Sequence, residues 1–127
     1  MNSKHTPIDL LLLGSLILTI SCTNLIYEPG QAPKIFTGIS EEWQAYNDQG
    51  IMIDIDFSLL NLKNIPQVHT SIYGNSSHWD TTGASSIYLL TNKGFRVYIK
   101  GGSFTATVET AKEYKWKLAY TIITQDS

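Results

Sequence analysis

His78, Trp79 and Asp80 stand together in the middle of a segment, Gly74 to Ser86 (GNSSHWDTTGASS), that is otherwise built from small and hydroxylated residues. An indole presents a broad apolar face, and imidazole, carboxylate and amide groups place donors and acceptors around it. That combination suits a polyhydroxylated ring. The C–H face of a pyranose packs on Trp79 while its hydroxyls bond Asn75, His78 and Asp80. Loops carry such sites because a rigid scaffold positions them. Arg96 and Tyr98, facing outward on a later strand, extend the surface if the loop folds over them. The structural alternative makes Trp79 a plug at one end of the fold, with His78 bonded to backbone and Asp80 capping a turn with Thr81 or Thr82. Asn75-Ser76-Ser77 also matches the N-glycosylation sequon, which has meaning only in a eukaryotic secretory pathway.

Catalytic chemistry finds less support. His69 and His78, with Asp80 nearby, invite a metal site or a triad, but no third ligand follows at a zinc spacing. There is no G-x-S-x-G, no glycine-rich phosphate loop and no thiol besides Cys22. Asp54 and Asp56, two apart on one strand face, could share a calcium ion. Calcium takes six or more oxygens, however, and no ligand-rich loop accompanies the pair. The expectation is a binding domain rather than an enzyme, with no catalytic residue, metal or cofactor. The net charge of −2 and the absence of a basic run argue against nucleic-acid binding.

The elements that must position these residues read with a period of two. In Ile51–Phe57 the side chains of Ile51, Ile53, Ile55 and Phe57 point one way and Asp54 and Asp56 the other. Gly94–Lys100 repeats the device, with Phe95, Val97 and Ile99 facing in and Arg96, Tyr98 and Lys100 facing out. In the tail Trp116, Leu118, Tyr120 and Ile122 share a face opposite Lys115 and Lys117. Weaker candidates are Glu42–Tyr46, Val68–Tyr73, Ser86–Leu90 and Phe104–Val108. Turn signals at Asp48-Gln49-Gly50, Asn64-Ile65-Pro66, Asn92-Lys93-Gly94 and Gly101-Gly102 separate them. Only Glu109–Lys115 looks helical. The pattern predicts an all-β fold, a small antiparallel β-sandwich of about six or seven strands. Alternating strands, each half-solvated, rule out a parallel α/β sheet. On the outer faces Asp54 and Asp56 can oppose Arg96, Lys100, Lys115 or Lys117 across neighbouring strands.

A chain of 127 residues has room for one domain, and its beginning reads as a targeting segment. Lys4 and the α-amino group precede an apolar run, Leu10–Ile20 (LLLLGSLILTI), that falls well short of the ~20 residues needed to span a bilayer but fits a signal-peptide core. Thr19-Ile20-Ser21-Cys22 then resembles a bacterial lipobox, although Thr19 stands where leucine is usual. No other cysteine follows, so Cys22 is better explained by processing and lipidation than by a disulfide. The alternatives are an ordinary secretory leader cut near Ser21 and an uncleaved anchor running on to Ile26. The expected organisation is a lipoprotein-type signal peptide over 1–21, a tether over 22–34 and a β-sandwich over 35–127, exported and held to the membrane at the cell envelope or surface, or else secreted.

Ile55-Asp56-Phe57, Ile65-Pro66-Gln67-Val68, Thr70-Ser71-Ile72, Gly94-Phe95-Arg96-Val97-Tyr98-Ile99 and the late Trp116 together resemble H-type lectin domains, over most of Ile51 to Ile123. The resemblance implies a small antiparallel sandwich that assembles as trimers or larger oligomers and binds galactose-type sugars near subunit contacts. The chain departs from that pattern after Ile99, where Lys100-Gly101-Gly102-Ser103 replaces the usual Trp-Asp-Thr, so no lectin binding residue is carried over. The sequence expectation is a lectin-like domain that binds a glycan or surface polymer through Asn75, His78, Trp79, Asp80, Arg96 and Tyr98, with homo-oligomerisation open. The rival is a structural or protein-interaction lipoprotein that uses its sheet edges.

Overall fold

The computed structural model describes residues 32–125, and within them the two clearest alternating runs pair with each other. Strand β3 (Gly50–Asp56) lies antiparallel to β7 (Gly94–Gly101) in a register that sets Ile51 against Ile99, Ile53 against Val97 and Ile55 against Phe95. All six side chains are buried. The intervening Asp54 and Arg96 face each other on the opposite, solvated side, as a strand period of two requires. The signal peptide, Cys22 and the tether up to residue 31 lie outside the described residues.

Two antiparallel sheets form around this pair. One has β8 (Lys117–Thr124) at its centre, flanked by β1 (Lys34–Ser40) and β4 (Gln67–Tyr73). In the other, β2 (Gln44–Asn47) borders β3, and both β5 (Thr81–Thr82) and β6 (Ile87–Tyr88) pair with the far side of β7. These are eight strands in seven places, because β5 and β6 are two pieces of one broken edge. The break is built on Gly83, whose φ of +99° is open to glycine and whose missing Cβ leaves room for the Tyr98 carbonyl. The expected antiparallel sandwich is the fold.

The sheets meet through Leu118 and Ile122 of β8 on one side and the β3 and β7 aliphatics on the other. Phe95 meets Tyr120 edge-on across the layers, centroids 5.9 Å apart. Two of the three tryptophans close one end. Trp116 is buried and donates its indole N–H to the Ser76 carbonyl at 2.7 Å; its own carbonyl accepts from the Trp43 indole at 2.8 Å. Both buried indole donors are thereby satisfied, as their burial demands.

One expectation needs correcting. Phe104–Val108 is not a strand. After Gly101 the chain is drawn out of the sheet when Asp80 accepts from the Ser103 N–H and hydroxyl, at 2.9 and 2.5 Å. Thr107 then caps helix α1 (Val108–Glu113) by accepting from the Thr110 N–H at 3.1 Å. β1, a strand that the alternation does not single out, starts at Lys34 and pairs with β8 along its whole length.

Candidate functional site

The outer face of the larger sheet carries a cluster of tyrosines. Tyr98 of β7 touches Tyr46 of β2 on one side, with ring centroids 4.5 Å apart, and Tyr88 of β6 on the other, at 5.0 Å. The tilts of 56° and 78° leave the rings in the offset and edge-on arrangements that aromatic quadrupoles favour. Tyr46 and Tyr88 remain half exposed. The cluster exists because of a bulge. Ala45 pairs with Ile51 and Asn47 with Gly50, so Tyr46 is the extra residue on β2. A bulge bends its strand and re-aims a side chain, here over β3 toward Tyr98.

Beside the tyrosines lies a fixed ion pair. Arg96 donates Nε to Asp54 Oδ1 at 2.6 Å and Nη2 to Oδ2 at 2.7 Å, a bidentate fork set by the β3–β7 register. Nη1 points to the Tyr98 hydroxyl at 3.4 Å, and the guanidinium carbon stands 5.8 Å from the Tyr98 ring centroid. The hydrogen bond from Arg96 holds the Asp54 carboxyl below its ordinary range, outweighing the opposing effect of burial, and the Arg96 charge adds to it. Asp56, on the same face, is also lowered, because it accepts from the Ser58 N–H at 2.7 Å. A shallow groove of about 470 Å³ continues from the pair, lined by Asp54, Ser58, Leu89, Lys93 and Arg96.

The loop candidates form a separate group. His78–Asp80 is one 3-10 turn, closed when Thr81 Oγ1 donates to the His78 carbonyl at 2.7 Å. Asp80 fastens this turn to the Gly101 end of β7: its carbonyl accepts from Gly102 N at 2.7 Å and its carboxylate from Ser103. Those bonds, the Ser103 hydroxyl first and its N–H second, hold the Asp80 carboxyl below its ordinary range. Asp80 thus caps Gly102-Ser103 rather than a turn at Thr81 or Thr82. Trp79 is 82% exposed, so it plugs nothing. His78 is half-buried, and its Nδ1 is shielded from solvent with no hydrogen-bond partner among the described residues. Asn75 is exposed, with its backbone N–H held by the Tyr114 carbonyl at 2.8 Å.

Arg96 and Tyr98 therefore come together, and Asn75, His78, Trp79 and Asp80 gather at the end of β7. Among the described residues no ring contact joins Trp79 to the tyrosines. Tyr46 and Tyr88 escaped the sequence reading. Their signal is weak: Tyr46 sits in a short polar run and Tyr88 in an apolar one, and the facing depends on a bulge for the first and on a broken edge for the second. Among the described residues no three of His, Cys, Asp and Glu gather in a way that could hold a metal ion, and no helix is long and apolar enough to cross a membrane. Set against protein-family models, curated proteins and solved structures, the chain matches none of them.

Proposed function

We propose that this domain binds glycans without catalysis, through the tyrosine face of the larger sheet. The observation that carries the reading is the Tyr46–Tyr98–Tyr88 cluster, an exposed aromatic surface positioned by a bulge rather than left over from packing. The C–H face of a pyranose packs on such rings, and the tyrosine hydroxyls, with the second N–H of the Arg96 Nη1 that reaches Tyr98, offer bonds to its hydroxyls. Asp54 occupies the other two faces of the guanidinium fork, so an incoming carboxylate would meet its charge. The favoured ligand is therefore a neutral saccharide. Trp79, exposed near the end of β7, supplies a second apolar contact for a longer chain. Affinity for glycan resides in this surface and not in an enclosed pocket.

The leader supports a location for this activity. An apolar run ending at a lone Cys22 fits export and lipid anchoring, which would present the domain at the cell envelope. Cys22→Ala is expected to move the protein from the membrane fraction to the soluble one. For the binding itself, the full chain is screened on a panel of immobilised neutral and acidic saccharides, beside Tyr98→Ala and Trp79→Ala. Binding of neutral members that Tyr98→Ala abolishes and Trp79→Ala weakens, with both variants folded, supports the reading. Failure of the parent chain to bind any saccharide removes it.

A further inference from the structure

The two sheets offer four edges, and two of them are interrupted. β2 has four residues and a bulge. The β5/β6 edge is broken between Thr82 and Ile87. β4 is tied at its midpoint to the turn in that break, since Thr70 Oγ1 donates to the Ala84 carbonyl at 2.6 Å, and its outward residues Gln67, His69, Ser71 and Tyr73 are mostly polar. β1 differs. Like β4 it runs for seven residues without bulge or proline, and among the described residues no backbone bond reaches its outer side, but its solvated face is apolar. Its solvated face reads Ile35, Thr37, Ile39, and each isoleucine is 61% exposed. Sheets normally protect a long edge with charges, proline or a bulge, because an unprotected one is a template for another strand.

We propose that β1 pairs antiparallel with β1 of a second copy of this chain, joining the smaller sheets of two protomers into one continuous six-stranded sheet. The edge is complementary to itself. A two-fold axis through Thr37 sets Ile35 of each copy against Ile39 of the other and Thr37 against Thr37, on the same face. Exposed β-branched side chains thus gain cross-strand partners. The same register brings Lys34 opposite Ser40 and beside Glu41, whose carboxylate also holds Lys117 of its own chain at 3.2 Å. Symmetry closes the contact at two chains, because each copy has one such edge and uses it. The pairing is independent of the glycan reading, whose surface lies on the other sheet.

Full chains carrying Cys22→Ser test the register by disulfide trapping. Residues directly opposite in an antiparallel pair come within bridging distance, whereas residues several places apart do not. Thr37→Cys is expected to form a covalent dimer under mild oxidation. Ile35→Cys alone is expected to stay monomeric on a denaturing gel, and a mixture of Ile35→Cys with Ile39→Cys to cross-link. Sedimentation should show the parent dissociating from dimer to monomer on dilution. Ile35→Lys combined with Ile39→Lys, which sets lysines against each other, should be monomeric throughout with unchanged far-ultraviolet circular dichroism. A parent that is monomeric at every concentration overturns the proposal, as it would if a segment of the same chain covered β1. So does association that survives the double lysine substitution, the result expected if the apolar leader drives it, and so does Ile35→Cys cross-linking as readily as Thr37→Cys.

Discussion

The rings of Tyr46 and Tyr98 lie 4.5 Å apart although their strands, β2 and β7, do not pair with each other. β3 runs between them, with Met52 opposite Tyr98 in the register. Regular strands would hold such side chains two strand spacings apart, about 9–10 Å. The single-residue bulge at Tyr46 closes that gap. Tyr88 completes the surface from the other side of β7. The Asp54–Arg96 fork fixes the guanidinium against Tyr98. An exposed aromatic surface held this firmly loses little side-chain freedom on binding.

Trp116 is the residue on which both the core and the site loop depend. It is buried, bonds Ser76 through its indole and Trp43 through its carbonyl, and packs near Gly74. Trp116→Ala is expected to cost about 3–5 kcal/mol, read as a drop in the urea midpoint. A midpoint near that of the parent would show that Trp43 and its neighbours hold the end of the sandwich without it.

Leu89 stores strain. Its φ of 53° lies in the left-handed region that disfavours residues with a Cβ, and its side chain is 68% exposed, so no packing offsets the cost. Leu89→Gly relieves the clash at some expense in chain entropy. The expected net result is a gain of about 0.5–1 kcal/mol in unfolding free energy. A loss would mean that the leucine side chain contributes more to the groove beside Arg96 than its exposure indicates.

Acid should weaken the fold through three carboxylates on the surface. Asp54, Asp56 and Asp80 all titrate below their ordinary range because each accepts hydrogen bonds in the folded chain. A lowered folded value means that the contribution is fully present above the unfolded value, about 3.9, and is lost as the pH falls through the folded one. The melting temperature is therefore expected to be unaffected by these groups between neutrality and about pH 5, and to fall below about pH 4. Asp54→Asn should melt slightly lower at neutral pH and lose less on acidification, measured by thermal circular dichroism. An equally steep acid slope in that variant would remove Asp54 from the account.

Much of this architecture is legible in the residues themselves. Ile51, Ile53 and Ile55 alternate with aspartates, Phe95, Val97 and Ile99 with Arg96 and Tyr98, and both runs form the paired central strands. The outward facing of Arg96 and its partnership with an aspartate across the ladder follow from the same period. β1 is harder to read, because it is an edge strand with Ile35 and Ile39 turned to solvent, which inverts the usual relation between hydrophobicity and burial. The 104–108 run fails as a strand because Asp80 holds the Ser103 N–H just before it and Thr107, within it, accepts from the Thr110 N–H and opens the helix. Alternation shows only which way each side chain faces. The tyrosine cluster depends on a one-residue shift in register, and nothing in the spacing of Tyr46, Tyr88 and Tyr98 announces it. The joint surface imagined for Trp79 and Arg96 divides in two for a related reason: Asp80 anchors the loop beyond the Gly101 end of β7.

The most direct test of glycan recognition is a titration of the isotope-labelled full chain with neutral oligosaccharides, followed by amide and side-chain chemical shifts. Saturable shifts at Tyr46, Tyr88, Tyr98 and the Arg96 Nε–H, extending to Trp79 only with longer saccharides, are the predicted result. No saturable change with any saccharide, or shifts that leave the tyrosine face untouched, would contradict it.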